Sequence, residues 1–560
     1  MGKGMVSVMR WSFLVVLLLF VLSFSQAVAA DLDITHFGAN PDDGKDDGPA
    51  LLKAIGTCQG RANANLVFKK GTYDIISGGM LVFDGCKNLK ITGNNSVLVF
   101  HDWNQGLAFN ICHNLTVANL ALDYNPLPFC AGTISAVNND SIDVRLAPGY
   151  SVKGPEGIKA WMEYEPDSFV PAASGLEAYI DATSELLSSQ LWRVHVRGPF
   201  RPGMFLVLRH AVYTHQAIFV NGGNDIQFNN VTIYTAPGMG FHARCENIRL
   251  KNCGVLVRPG RHMSTTADAT HFDLCSGQIR MENCVFEGMG DDGANIHGKF
   301  VRLRKVDERT LDSAEPAWTM PQANDIIEFV GSHLLPYATA QVSAVKANPS
   351  NGHTLISLKN PIPEAFSDGD YCHDLTKIPS EVIITGCKFR SNRARGTLIA
   401  ARNVTIEKCS FENISSSAIQ VECDIGDWLE AGPTRNIVIR NNTVSHCNYG
   451  VCARAGAIDV FADISGGIKS AVGVHQNLTI EKNEITRIPR AAINVSAASN
   501  VIIRDNRMSD IGQTGRTPSS MGAIWLERVS KVIISDNTVT NTKPGELVIQ
   551  GEDCTEVTIK

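Results

Sequence analysis

Along most of the chain a short run of alternating apolar and polar residues is followed by an asparagine- or aspartate-rich turn. A second, shorter alternation then begins. "NLTVANLALDY" (from 114), "DIQFNNVTIY" (225), "NIRLKNCGVLV" (247) and "QIRMENCVFEG" (278) share this shape. So do "EVIITGCKFRS" (381), "NVTIEKCSFEN" (403), "NIVIRNNTVSH" (436), "NLTIEKNEITR" (477), "NVIIRDNRMSD" (500) and "KVIISDNTVTN" (531). Alternation with period two and β-branched residues marks half-buried strands. Neighbouring starts differ by 22 (225 to 247, 381 to 403) or 23 (477 to 500), and larger gaps mark loops. Short strands recurring at that interval fit coils of a parallel β-helix, each burying its apolar face on its neighbours. A leucine-rich repeat would need a leucine pattern that is absent. The period and the strand propensity exclude a coiled coil.

Other stretches depart from the repeat. Residues 31–76 read as strand, turn, helix and strand, with "PALLKAIGTC" as the helical run, and form an expected cap on the first coil. Residues 131–215 and 299–378 alternate without the repeat and are expected to be two inserted antiparallel β domains, barrel-like in form. The expected division is a signal peptide at 1–29, cap and first coils at 30–130, and the first insertion at 131–215. Coils at 216–298, the second insertion at 299–378 and coils at 379–560 follow. At the N-terminus Lys3 and Arg10 precede the apolar run "WSFLVVLLLFVLSF", and "AVAAD" offers a cleavage site after Ala29. Fourteen apolar residues fall short of the ~20 of a bilayer span, so export to the periplasm or medium is expected.

The formal net charge is −6 and there is no basic run, which argues against nucleic-acid binding. The chain has 15 cysteines, a number that in an exported protein suggests disulfides. Cys253, Cys284, Cys387 and Cys409, however, sit at equivalent repeat positions. They are expected to stack as a column of small buried side chains. The sequence leaves room for a few disulfides elsewhere and assigns none. No cysteine–histidine spacing suits zinc, so no metal and no cofactor is expected.

The candidate chemistry is carboxylate. "GMGDDGANIHG" (288–298) sets Asp291 and Asp292 between glycines, and the chain supplies a control in "PDDGKDDGPA" (41–50), where the same triplets lead into a helix and read as turns. Repeat register separates the two cases. Asp268, in "TTADATHFDLC", precedes Asp291 by 23 residues, about one coil, which places it beside the pair roughly 4.8 Å along the axis. Three crowded carboxylates raise at least one pKa, and a neutral carboxyl beside an ionised one is the acid/base pair of glycoside hydrolysis. A ladder of solvated turn residues is the plain alternative. Arg258, Arg261, His262, His271, Asn295 and His297 bring further donors to the same coils, as sugar hydroxyls or surface packing would use them. In "ECDIGDWLEAGP", Trp428 and Glu430 stand in a loop, where the tryptophan suits a sugar platform or a packing contact equally.

"TTADATHF…GQIRMENCVFEGMGDDGANIHG" with the later "DWLEAGPTRNIVIRNN" resembles glycoside hydrolase family 110, the α-1,3-galactosidases, most sharply over 258–298. The resemblance implies a pectin-lyase-like right-handed parallel β-helix. It also implies exo-removal of terminal α-1,3-linked galactose, as on blood-group-B-type glycans, with inversion. On the same basis Asp291 is the general acid, and Asp268 and Asp292 hold the attacking water. The expected partner is an oligosaccharide or polysaccharide ending in α-galactose, with no membrane association after signal removal; the solenoid edges are open to homodimerisation.

Rival readings remain. Polygalacturonases also carry an Asp pair near a third Asp, and Arg258 and Arg261 would suit a uronate. Here, however, their Asn-Thr-Asp is "TAD", and neither Gly-His-Gly nor Arg-Ile-Lys is present. A polysaccharide lyase would want a calcium-binding acid cluster with a basic residue. A non-catalytic glycan-binding solenoid would tolerate loss of the acids.

Overall fold

The computed structural model describes residues 30–152, 157–173, 175–426, 428–450, 452–464, 468–512, 522–543, 545 and 547–560. The expected export segment at 1–29 lies outside the described residues. The described residues are all-β apart from short 3-10 turns and the helix Gly48–Gln59, whose Leu51, Ala54, Ile55 and Cys58 are buried.

The repeat winds into a parallel β-helix with three sheets. On the first, Phe241, Thr270, Ala294, Thr397, Ile419, Ile458, Ile493 and Ile524 lie in one register column. On the second, Ile248, Ile279, Val382, Val404, Ile437, Leu478, Val501 and Val532 do the same. The third is short and aromatic at its centre, where Phe286, Phe389 and Phe411 stack at 5.3 and 5.0 Å. All these side chains are buried, and each apolar one contributes roughly 1.5–3 kcal/mol before chain entropy is charged against it.

The turns follow from the same residues the pattern singled out. Asn403, Asn436, Asn477 and Asn500 hold left-handed backbone, which asparagine tolerates. The amides of Asn436, Asn477 and Asn500 each donate to the asparagine one coil back, at 2.8, 2.9 and 2.7 Å. Inside the helix, the thiols of Cys253, Cys284, Cys387 and Cys409 each lie against a backbone carbonyl of the preceding coil. The column continues as Asn442, Asn483, Asn506 and Asn537, whose amides donate to the equivalent carbonyls. All 15 cysteines are unbridged.

Residues 129–209 form a separate antiparallel sheet of seven strands with its own core around Trp161 and Trp192. Its two edge strands, Glu177–Ala182 and Ser184–Ser188, are one residue apart in sequence, so the sheet curls until its edges meet. A second antiparallel unit grows out of the strand Ala294–Arg302. The first half of that strand pairs in parallel with Thr270–Asp273, and its second half pairs antiparallel with Tyr371–Asp374. Gly298 and Lys299 also pair with Glu430–Ala431, which brings the Trp428 loop over the same coils.

Candidate active site

Asp268, Asp291 and Asp292 occupy consecutive turns just before the strands Thr270–Asp273 and Ala294–Arg302. Thr270 pairs with Ala294, so the local coil holds 24 residues, one more than the repeat suggested. Asp268 therefore aligns with Asp292, and the Asp292 N–H donates to Asp268 Oδ1 at 3.2 Å. Carboxylate oxygens of the three lie within 4.8 Å of one another, and all three side chains are buried. The flanking glycines are required by close coil packing. A Cβ on Gly290 would lie 2.4 Å from the Thr266 carbonyl, and one on Gly293 would lie 2.4 Å from that of Gly396. In the control stretch, Asp46 instead accepts backbone N–H groups of Gly48, Ile76 and Ser77, which is ordinary turn chemistry.

Each acid has its own cation. Asp268 Oδ2 is 2.7 Å from His271 Nδ1. Asp291 Oδ1 accepts from Arg393 at 3.1 Å, and its Oδ2 accepts from the Tyr179 hydroxyl at 3.0 Å and from the Tyr213 hydroxyl. Asp292 accepts the Arg395 N–H at 2.8 Å and faces the Arg395 guanidinium at 3.1 Å. Arg209, fully buried, donates to the carbonyls of Thr266 and Gly290 and so ties together the two acid-bearing turns.

This charge pattern separates the acids. Burial works to raise Asp291, but Arg393, Arg395, the Tyr213 hydroxyl and Arg209 outweigh it and hold the carboxyl below its usual range. Burial pushes Asp292 well above that range against the pull of Arg395, and the charges of Asp291 and Asp268 add to the rise. Burial raises Asp268 as well, opposed by the His271 hydrogen bond. Asp291 is thus the most acidic of the three, and Asp292 and Asp268 hold a proton more readily. A cation would find three oxygens here, but His271, Arg393 and Arg395 already balance them. The neighbouring group of His242, His271 and Asp273 is likewise committed, since His242 and Arg244 both bind Asp273.

The acids floor a cavity of about 700 Å³. Of the residues singled out in the sequence, His271, Asn295, Trp428 and Glu430 line it too. Trp428 stands at the rim, 70% exposed, with its carbonyl accepting from Lys299. Asn295 Oδ1 and Arg395 Nε are buried and have no hydrogen-bond partner among the described residues. Three expectations are corrected. Arg258 and Arg261 do not reach this cavity: both pair with Asp123 on an earlier coil, Arg261 at 2.6 Å, and they line a separate cleft against the first insertion. His297 lies behind His271, 1% exposed, and does not line the cavity.

The sequence reading missed Tyr179, Arg209 and Tyr213, which come from the first insertion or its exit, and Arg393 and Arg395. The arginines had a signal. When "CKFRSNRARG" is set on "CVFEGMGDDG" by Cys387 and Cys284, Arg395 falls on Asp292, which is the observed register. The tyrosines had none, because they reach Asp291 across 112 and 78 residues of sequence, from the inserted sheet and its exit.

Residues 350–466 and 458–560 match the family model described as right handed beta helix region. Over 575 aligned residues the chain is 26% identical to α-1,3-galactosidase A of Shewanella woodyi, covering 94% of each. It is 26% identical over 593 residues to α-1,3-galactosidase B of Bacteroides thetaiotaomicron, covering 94% of this chain and 93% of that one. Over nearly its whole length the chain is similar to proteins named α-1,3-galactosidase. Among solved structures, the Agl-KA catalytic domain matches at a TM-score of 0.52 and 13% identity, covering 95% of this chain and 69% of that one. That likeness concerns the fold alone, the right-handed parallel β-helix.

Proposed function

We propose that the protein is a glycoside hydrolase that removes terminal α-1,3-linked galactose from glycans, with inversion. The observation that carries this reading is the carboxylate trio on the floor of a cavity, each acid backed by its own cation. The relatives supply the substrate class. Asn295, Arg395, Trp428 and Glu430 line the same cavity and bring to it the amide, guanidinium, indole and carboxylate groups that sugar sites use.

In the proposed reaction Asp291 protonates the glycosidic oxygen, the bond from that oxygen to the anomeric carbon breaks, and water adds to the carbon. The water's proton passes to Asp268, with Asp292 holding the same water. One proton shared by the trio suffices, provided it sits on Asp291 when a glycosidic oxygen is seated there. Inversion comes from the resemblance. One oxygen from each acid lies within 4.8 Å of the others, a close grouping beside the ~6.5–9.5 Å carboxyl separation of inverting enzymes, so retention is the second reading.

Proton NMR of the first-formed sugar from galactose-α-1,3-galactose decides between them. β-Galactose is expected, and α-galactose would replace inversion by retention. Asp268→Asn, Asp291→Asn and Asp292→Asn should each lower kcat by roughly 10²–10⁴-fold. On an aryl galactoside whose leaving group needs no acid, only Asp291→Asn should recover. Full activity in all three variants would leave a binding solenoid as the better reading.

A further inference from the structure

His271 stands between two partners of different kinds. Its Nδ1 is 2.7 Å from Asp268 Oδ2, and its Nε2 is 3.1 Å from Nε2 of His297. His297 Nδ1 in turn lies 2.6 Å from the carbonyl oxygen of Gly298, which only accepts. His297 Nδ1 therefore carries a proton, and with that buried ring neutral its Nε2 is a bare lone pair. A bare nitrogen needs a donor, so His271 Nε2 carries a proton as well. One proton remains for the Nδ1–Asp268 contact, and the surroundings decide where it sits.

Asp273 and Glu430 face the two rings with negative charge, and Asp268 closes the third side. His242, edge-on to His271 at 5.2 Å, is held neutral by burial while its Nε2 serves Asp273. Arg244 also binds Asp273, and Lys299 and Arg395 sit beyond, closer to Glu430. The net field around His271 favours a cation, and its pKa stands at about 9 although burial alone would lower it.

We infer that His271 is a positioning residue: an imidazolium, oriented by neutral His297, that keeps Asp268 an anion aimed at the attacking water. The role of Asp268 as base rests on the proposed function, whereas the ionic pairing stands on geometry. Both ring nitrogens of His271 are saturated with protons and both have acceptors, so the ring cannot turn without losing two hydrogen bonds. His297, counted in the sequence among residues that touch sugar, acts instead through His271.

The test has two arms on the full chain. Long-range proton–nitrogen spectra should show both His271 ring nitrogens protonated at pH 7.5, and the ring should become neutral there in Asp268→Asn. A His271 ring already neutral at pH 7 in the wild type overturns the inference whether or not the protein turns over substrate. In the second arm, the acidic limb of kcat/KM against pH should move up by about one unit in both His271→Asn and His271→Ala. KM should change far less than kcat, because the loss is of base strength rather than of sugar contact. A limb that stays put in both variants, with folding intact by circular dichroism, overturns the inference. Should the wild type hydrolyse no α-galactoside, the carboxyl-carbon titration of Asp268 replaces the limb. A rise in His271→Asn then supports the pairing while the proposed function falls, and an unmoved titration removes the pairing itself.

Discussion

Asp291 takes two phenol hydroxyls and a guanidinium on one buried carboxylate, and no other acid in the site is bound so fully. Tyr179 is itself gripped between Arg209 and Arg393, each 5.1 Å from its ring, so its hydroxyl is fixed before substrate arrives. Donors to the ionised form lower a carboxyl pKa, and removing one raises it. Tyr213→Phe should therefore move the alkaline limb of kcat/KM upward, since Asp291 would keep its proton to higher pH. A downward shift or none would mean that the limb belongs to another group. The proposed roles thus predict opposite control points: His271 governs the acidic limb through Asp268, and Tyr213 governs the alkaline one through Asp291.

At the scale of the element, one interior column is built from two chemistries. Cys253 to Cys409 and then Asn442 to Asn537 answer the same carbonyls from the same place in successive coils. Asn483 also accepts both the backbone N–H and the side-chain amide of Asn442, each at 3.0 Å, so one side chain serves several buried groups. Leaving a buried polar group unpaired costs about 1–3 kcal/mol. Asn483→Ala should thus lower the unfolding free energy measured by urea titration by an amount of that order. Cys387→Ala, which gives up only a weak S–H donor and a little volume, should cost no more than about 1 kcal/mol. Equal losses for the two would refute this account of the ladder.

The whole molecule joins buried groups whose linkage to pH runs in opposite senses. Burial lowers His297 and His475 to about 4, so the stability they confer as neutral rings is lost as pH falls from 6.5 towards 4. Burial raises Glu422 and Asp459 to about 7, and their contribution is full at low pH and lost as pH rises to 7. These four offset one another in mildly acidic solution. His271, raised from 6.5 to about 9, contributes fully below 6.5 and loses that contribution on the way to 9. The melting temperature should be nearly level between pH 5 and 6.5 and fall from there to pH 9. His271→Asn should flatten the fall. A wild-type Tm that climbs between pH 7 and 9 would contradict the assignment.

The sequence by itself determined the solenoid, because its coils are encoded locally. Two-residue alternation sets each strand, asparagine takes the left-handed turn, and the same apolar position recurs on every coil. It also pointed to Asp268 as the partner of Asp291 and Asp292, since coil length converts a sequence interval into a neighbour. The interval was one residue off, and that shift alone decided that Asp268 faces Asp292. Only the tertiary structure decided the rest of the site. Tyr179 and Arg209 arrive from an inserted sheet and Tyr213 from its exit, and Arg393 and Arg395 lie one coil on but beyond the second insertion. Arg258 and Arg261 turn away to Asp123 although they are near the acids in sequence. A repeat fixes what stands beside what within the solenoid; where a non-repeating segment docks depends on long-range packing, which no local pattern encodes.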